Sequence, residues 1–243
     1  MARALPQHWP RNVLYLSSDN QWHPQTTKET ADRYHGLSQA GDPAKEALWA
    51  AVKQEMDVGD IPVQSYAPKR LQQLVRIAAL PSTHPCYRSS GEGMGLFALK
   101  TLKPKAYLFD YLGCYVQDDL LDGHATEEVK DVEAVRMEES DYVLHLYSDL
   151  NIDAGKMGNE ARFINDFRGV APRPNVYFET YYDPTTDQLR AGVFSMQHPI
   201  APGEELVTTY GVENYWALDA AMSQVRHDEK NQQEWQPEWD ASR

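Results

Sequence analysis

From about residue 85 onward, short runs rich in β-branched and aromatic residues alternate with turn signals, without strand–helix–strand alternation. "AYLFDYLGCYV" (106–116), "YVLHLY" (142–147), "NVYFETYY" (175–182), "AGVFSM" (191–196) and "ELVTTY" (205–210) read as strands. "DPTTDQ" (183–188) reads as a hairpin tip and "PGEE" (202–205) as a tight turn. A doubly wound parallel sheet needs strand–helix–strand alternation and is excluded. The predicted class is mainly β with helical additions.

Residues 1 to about 80 read differently. "DPAKEALWAAVKQEMDVGD" predicts a helix, with Asp42 as cap, Pro43 at the first helical position and Gly59 closing the C-terminus. Ala44, Ala47, Leu48, Ala51 and Val52 recur at helical spacing and predict its apolar face. A second helix is predicted over "PKRLQQLVRIAAL", with Leu71, Leu74, Val75 and Ala78 on one side and Pro81 after its end. The acidic stretch 124–141 reads as an excursion with a short helix, and the polar tail 226–243 as loose.

Charge narrows the partners. A net charge of −13 argues against a general nucleic-acid binder, which needs a basic face, and suits a basic partner. The two cysteines, Cys86 and Cys114, give neither a thiolate zinc site nor a disulfide framework, so no metal is expected. No secretory leader and no run of about 18 apolar residues is seen, which predicts an intracellular chain off the membrane. Dinucleotide, phosphate-loop, zinc-protease and serine-hydrolase motifs are all missing.

"GNEARFINDFRG" (158–169) poses a sharper problem. It mixes apolar anchors (Phe163, Ile164, Phe167) with polar tips (Arg162, Asn165, Asp166). It also stands in an ordered series. Gly93-x-Gly95-Leu96-Phe97-Ala98 comes first, then Tyr111-Leu-Gly113, Tyr142, and Ile152-Asp153-Ala154. After 158–165 come Pro174-Asn175, Gly203-Glu204-Glu205-Leu206, Tyr210-Gly211 and Trp216. This succession resembles the SET-domain family of protein lysine methyltransferases, over roughly residues 85 to 217.

The resemblance implies a β-clip-like fold with a knot-like core, in which the Arg-Phe-Ile-Asn segment threads beside the C-terminal Tyr segment. The implied division is an N-terminal helical region (1–84), the SET domain (85–217) and a C-terminal lid and tail (218–243), with 212–222 forming a lid without zinc. The implied cofactor is S-adenosyl-L-methionine. Glu92, Gly93, Met94 and Gly95 would lie along its methionine part, with Arg162 and Asn165 facing it. Asn165 and the main chain of Asp166 would hold the amino group and adenine, and Trp216 would cover the adenine. Tyr142 would line cofactor and pore, and Tyr210 would stand at the active centre. Thr208 and Phe178 would shape the substrate channel. The implied substrate is a basic protein, a histone tail in chromatin or a ribosomal or translation protein, which places the chain in the nucleus or else the cytoplasm. A catalytically inactive SET module acting as a scaffold is the alternative.

The chemistry suits these residue types. A lysine amine, with a free pKa of about 10.4, must be neutral before it attacks. An aromatic, water-poor channel disfavours the ammonium. Several positions depart from the family pattern: Asp166 stands where His is usual, Phe167-Arg168 replaces Ser-Cys, and Cys114 stands where Glu is often found. Thr208 and Thr209 replace an aromatic and an Asp.

Overall fold

Val75 and Ile77 are buried while Arg76 between them is exposed. That period of two makes the segment a strand, where helical spacing alone predicted a helix. In the computed structural model, which describes residues 5–22, 28–39, 43–67, 69–87, 93–118 and 140–210, the place of the predicted helix is taken by a 3-10 turn at Leu71–Gln73 followed by this strand. The elements in chain order begin β1 (Leu14–Tyr15), β2 (Gln21–Trp22), α1 (Lys28–Tyr34), α2 (Pro43–Val58) and β3 (Val75–Ala79). They continue β4 (Met94–Ala98), β5 (Tyr107–Asp110), β6 (Cys114–Gln117), β7 (Val143–Tyr147), β8 (Leu150–Asp153) and β9 (Met157–Gly158). The last are β10 (Asn165–Asp166), β11 (Val176–Asp183), β12 (Gln188–Ser195) and β13 (Val207–Thr208). The described chain is thus mainly β with a few helices, as predicted. Residues 1–84 are less helical than predicted, since β1, β2 and β3 lie there.

α2 starts at Pro43 and ends before Gly59, which turns at φ +87°. Its buried face is not the predicted alanine stripe. Val52 and the Lys45 stem are buried, with Leu48 and Trp49 half-buried, whereas Ala44, Ala47 and Ala51 are exposed. The larger side chains set the helix rotation because they remove more apolar surface from water. The cap at Asp42, the stretch 124–139, the lid 212–222 and the tail 226–243 lie outside the described residues.

The chain forms two compact units. The first comprises the described residues within 5–73, 107–118, 140–162 and 178–194. It holds a four-stranded sheet in the order β2-β6-β8-β7, a sheet in the order β11-β12-β5, and the short parallel pair β1-β9. β2 joins β6 in parallel, and β8 lies antiparallel to both β6 and β7. Val52, Val116, Ile152 and Val193 are fully enclosed, each worth about 1.5–3 kcal/mol of burial. Arg190, 5% exposed, is carried inside on Asp110 at 2.8 Å and the Ser18 carbonyl at 2.9 Å, which hold its guanidinium charged. The predicted 183–188 tip is present, with Asp187 at φ +53°.

Cys114, on β6, gives a first testable consequence. Burial, and then the charge of Asp153, push its thiol up to about 12. At pH 8 it carries almost no thiolate, the reactive form. Iodoacetamide is expected to modify the partly exposed Cys86 and to spare Cys114 until the protein unfolds. Equal labelling of both in the native protein would contradict this burial.

The second unit comprises, among the described residues, 74–87, 93–106, 163–177 and 195–210. β3 and β4 pair antiparallel from Val75–Ala98 to Ala79–Met94. β10 and β13 pair in parallel, Asn165 with Val207 and Asp166 with Thr208. The 202–205 turn forms as predicted, with Gly203 at φ +84° and its N–H on the Ala98 carbonyl at 2.8 Å.

Candidate active site

The β10–β13 pair brings the 163–166 segment beside the 207–210 segment, although about 40 residues separate them in sequence. Phe163, Ile164 and Phe167 are buried, so the apolar residues of "GNEARFINDFRG" anchor the strand. Between those anchors Asn165 is half-buried. Its Nδ2 donates to the Met94 carbonyl at 3.0 Å and to Glu205 Oε1 at 2.9 Å. Two acceptors on one nitrogen fix which way the amide faces. Among the described residues no hydrogen bond reaches Asn165 Oδ1, so the amide presents an acceptor.

Asp166, 2% exposed, turns its carboxylate back into the protein. Oδ1 accepts the Arg168 backbone N–H at 2.9 Å, an Asx turn. Oδ2 accepts Arg168 Nη1 at 2.7 Å and the backbone N–H of Tyr210 at 2.8 Å. The Asp that departs from the family pattern therefore fastens Tyr210 to β10. The Tyr210 hydroxyl donates to the Ile164 carbonyl at 2.5 Å. With its proton committed, the phenol oxygen acts as an acceptor toward any other group.

Gly95 belongs to the same unit. A Cβ there would stand 2.6 Å from Glu205 Oε1 and 2.8 Å from Leu80 Cδ2. The glycine is thus needed for packing against a carboxylate that Asn165 holds in place. Gly95→Ala is expected to destabilise the protein by about 1–3 kcal/mol, read as a lower melting temperature. An unchanged midpoint would show that Glu205 moves freely. Gly93 and Met94 flank this point, and Thr208, 2% exposed, pairs with Asp166.

Tyr142, Arg162 and Phe178 belong to the first unit, where they share one cluster. The Arg162 guanidinium lies 4.0 Å from the Tyr142 ring centre, and its Nε donates to the Ala154 carbonyl at 2.9 Å. Its head thus meets main chain and aromatic face. The Tyr111 hydroxyl donates to the Tyr142 carbonyl at 2.7 Å, and Phe178 meets the Tyr111 ring edge to face at 5.4 Å. Burial, and then Asp153, raise the Tyr111 pKa, so this phenol stays protonated.

Glu92 and Trp216 lie outside the described residues. Glu205 and Tyr111 are the residues that sequence reasoning passed over as site residues. Both sat inside quoted motifs, yet no local signal tells that Glu205 meets Asn165. A cleft of about 650 Å³ in the first unit, lined among others by Tyr66, Lys69, Tyr107 and Arg190, takes in Leu112 and Asn159 of the quoted motifs but none of the predicted site residues that the structure describes.

The SET-domain family profile matches residues 93–211. The "Histone-lysine N-methyltransferase, H3 lysine-36 specific" of Emericella nidulans is 31% identical over 130 residues, covering 54% of this chain and 12% of that protein. "Histone-lysine N-methyltransferase ASHH1" of Arabidopsis thaliana is 30% identical over 132 residues, covering 53% of this chain and 24% of that protein. The crystal structure of ATXR5 in complex with histone H3.1 is 17% identical, covers 84% of each chain and has a TM-score of 0.47. The aligned part of this chain spans 12–13% of the length of the H3 lysine-36 relatives named first among its matches.

Proposed function

Because the chain belongs to the SET-domain family, we propose that it is a protein-lysine N-methyltransferase, with S-adenosylmethionine as methyl donor and a histone as the favoured substrate. The observation that carries this reading is that Tyr210, just after β13, bonds the residues on either side of Asn165, through its hydroxyl to Ile164 and its backbone N–H to Asp166. The donor fits what is present: its ammonium needs an acceptor, and Asn165 Oδ1 is one. Met94 and Gly95 would hold its methionine part through the main chain, as would Gly93 and Glu92. The main chain of Asp166 would serve the adenine, and Trp216 would cover it. When bound, the donor supplies a sulfonium methyl and a positive charge.

The chain's own residues do the rest. Tyr210, its proton committed to Ile164, accepts an N–H of the incoming amine and so aims the nitrogen lone pair. Such alignment removes an entropic cost that in the best cases reaches ~7–11 kcal/mol. Tyr142, Thr208 and Phe178 remain proposed channel residues on the resemblance alone. Arg162, clamped to Ala154, acts by holding the Tyr142 ring.

The net charge of −13 favours a basic substrate, and the relatives are named for action on histone lysine. A histone substrate implies the nucleus. Labelled S-adenosylmethionine, incubated with the chain and with core histones or whole lysate, tests the proposal. Label on a histone lysine, located by mass spectrometry, is expected. Label on ribosomal or translation proteins alone would keep the activity and move it to the cytoplasm. Label on no protein would overturn the enzyme reading in favour of a scaffold.

A further inference from the structure

His84 stands outside the residues that the family profile matches, in the segment between β3 and β4. Two backbone bonds fix that segment: His84 N–H to the Pro81 carbonyl at 2.9 Å, and Tyr87 N–H to the His84 carbonyl at 2.9 Å. The imidazole side chain is 8% exposed and meets Glu205, 9% exposed, at 3.1 Å between Nε2 and Oε2. The other ring nitrogen, Nδ1, accepts the backbone N–H of Cys86 at 3.0 Å. A nitrogen that accepts carries no proton, so in the neutral ring Nε2 carries it and donates to Glu205. The second carboxylate oxygen of Glu205 accepts Asn165 Nδ2 at 2.9 Å.

The bonds form one polarised line: Cys86 N–H to His84, His84 N–H to Glu205, and Asn165 N–H to Glu205 from the other side. We propose that His84 and Glu205 are positioning residues for Asn165. His84 holds the carboxylate, the carboxylate and the Met94 carbonyl hold the amide nitrogen, and Oδ1 is left aimed as an acceptor. A segment outside the matched domain thereby completes its donor site. Gly95 leaves the space the carboxylate needs. The inference rests on the reading that Asn165 Oδ1 receives the donor's ammonium.

The test uses the full chain and S-adenosylmethionine. Glu205→Ala is expected to weaken donor binding by about tenfold and His84→Ala by several-fold, with kcat at saturating donor changed by less than about twofold. His84→Gln keeps a donor toward Glu205 and is expected to restore part of the affinity. Wild-type affinity in both alanine variants, with affinity lost in Asn165→Ala, would overturn the inference and leave the site reading intact. No binding by the wild-type chain would overturn both. Nitrogen NMR of His84 without donor gives an independent readout, which also serves if the alanine variants fail to fold. Nε2 protonated and Nδ1 bare is expected, and the opposite tautomer would overturn the proposed line of bonds.

Discussion

Replacing Tyr210 by Phe is expected to lower methyl transfer on the order of 10²-fold or more, with donor binding nearly unchanged. The hydroxyl is the group at stake. It donates to the Ile164 carbonyl at 2.5 Å, and in the proposed mechanism its oxygen then accepts an N–H of the amine. Phe keeps the ring and its packing but offers nothing to aim the lone pair. The backbone N–H of residue 210 stays on Asp166, so the chain path should persist. Single-turnover rates with saturating donor and histone give the number directly. A variant transferring methyl at the wild-type rate would remove Tyr210 from the proposed mechanism.

The second large effect is expected at Asp166. Its carboxylate accepts three donors, from Arg168 N, Arg168 Nη1 and Tyr210 N, while 2% exposed. Asp166→Ala strands those donors and is expected to cost on the order of 3 kcal/mol. For a chain of this size that is roughly 6–12 °C in melting temperature. Asp166→Asn should do little better, since its NH2 group faces an N–H whichever way the amide turns. Asp166→His, which installs the residue usual in the family, is also expected to destabilise, because one ring cannot accept three bonds. Calorimetric melts of the three variants check the ranking. A chain stabilised by His at this position would show that Asp166 fastens nothing.

Much of the fold was legible because its signals were local. The runs at 106–116, 142–147, 175–182 and 191–196 carry alternating or β-branched residues between turn residues, and strands form at each. Helix α2 was legible at its ends, where Pro43 and Gly59 act through their own backbone. Its rotation was not, because small alanines fit a helical pattern without driving burial. The segment 71–79 misled for a related reason. Leu71, Leu74, Val75 and Ala78 satisfy helical spacing, while Val75 and Ile77 satisfy strand spacing. Pairing with β4, which local sequence cannot reveal, decided between them.

The site divides along the same line. That the segments of Asn165 and Tyr210 run side by side was legible through the order of motifs, and β10–β13 pairing shows it. The partners of each were not. Asp166 was expected to serve through its main chain, and nothing local told that its carboxylate holds Tyr210. Arg162 was expected to face a ligand, and nothing local told that its guanidinium rests on the Ala154 carbonyl and the Tyr142 ring. Glu205 lies 121 residues from His84 and 40 from Asn165, so only the folded chain discloses their line of bonds.

Calorimetric titration of S-adenosylmethionine into the wild-type chain and into Asn165→Ala reaches the central claim most directly. The account predicts one site per chain, weakened at least about tenfold in the variant, as fits a lost hydrogen bond to a charged group worth ~1.5–3 kcal/mol. Equal affinity in both proteins would mean that the donor's ammonium does not meet Asn165, and the proposed site would have to be sought elsewhere.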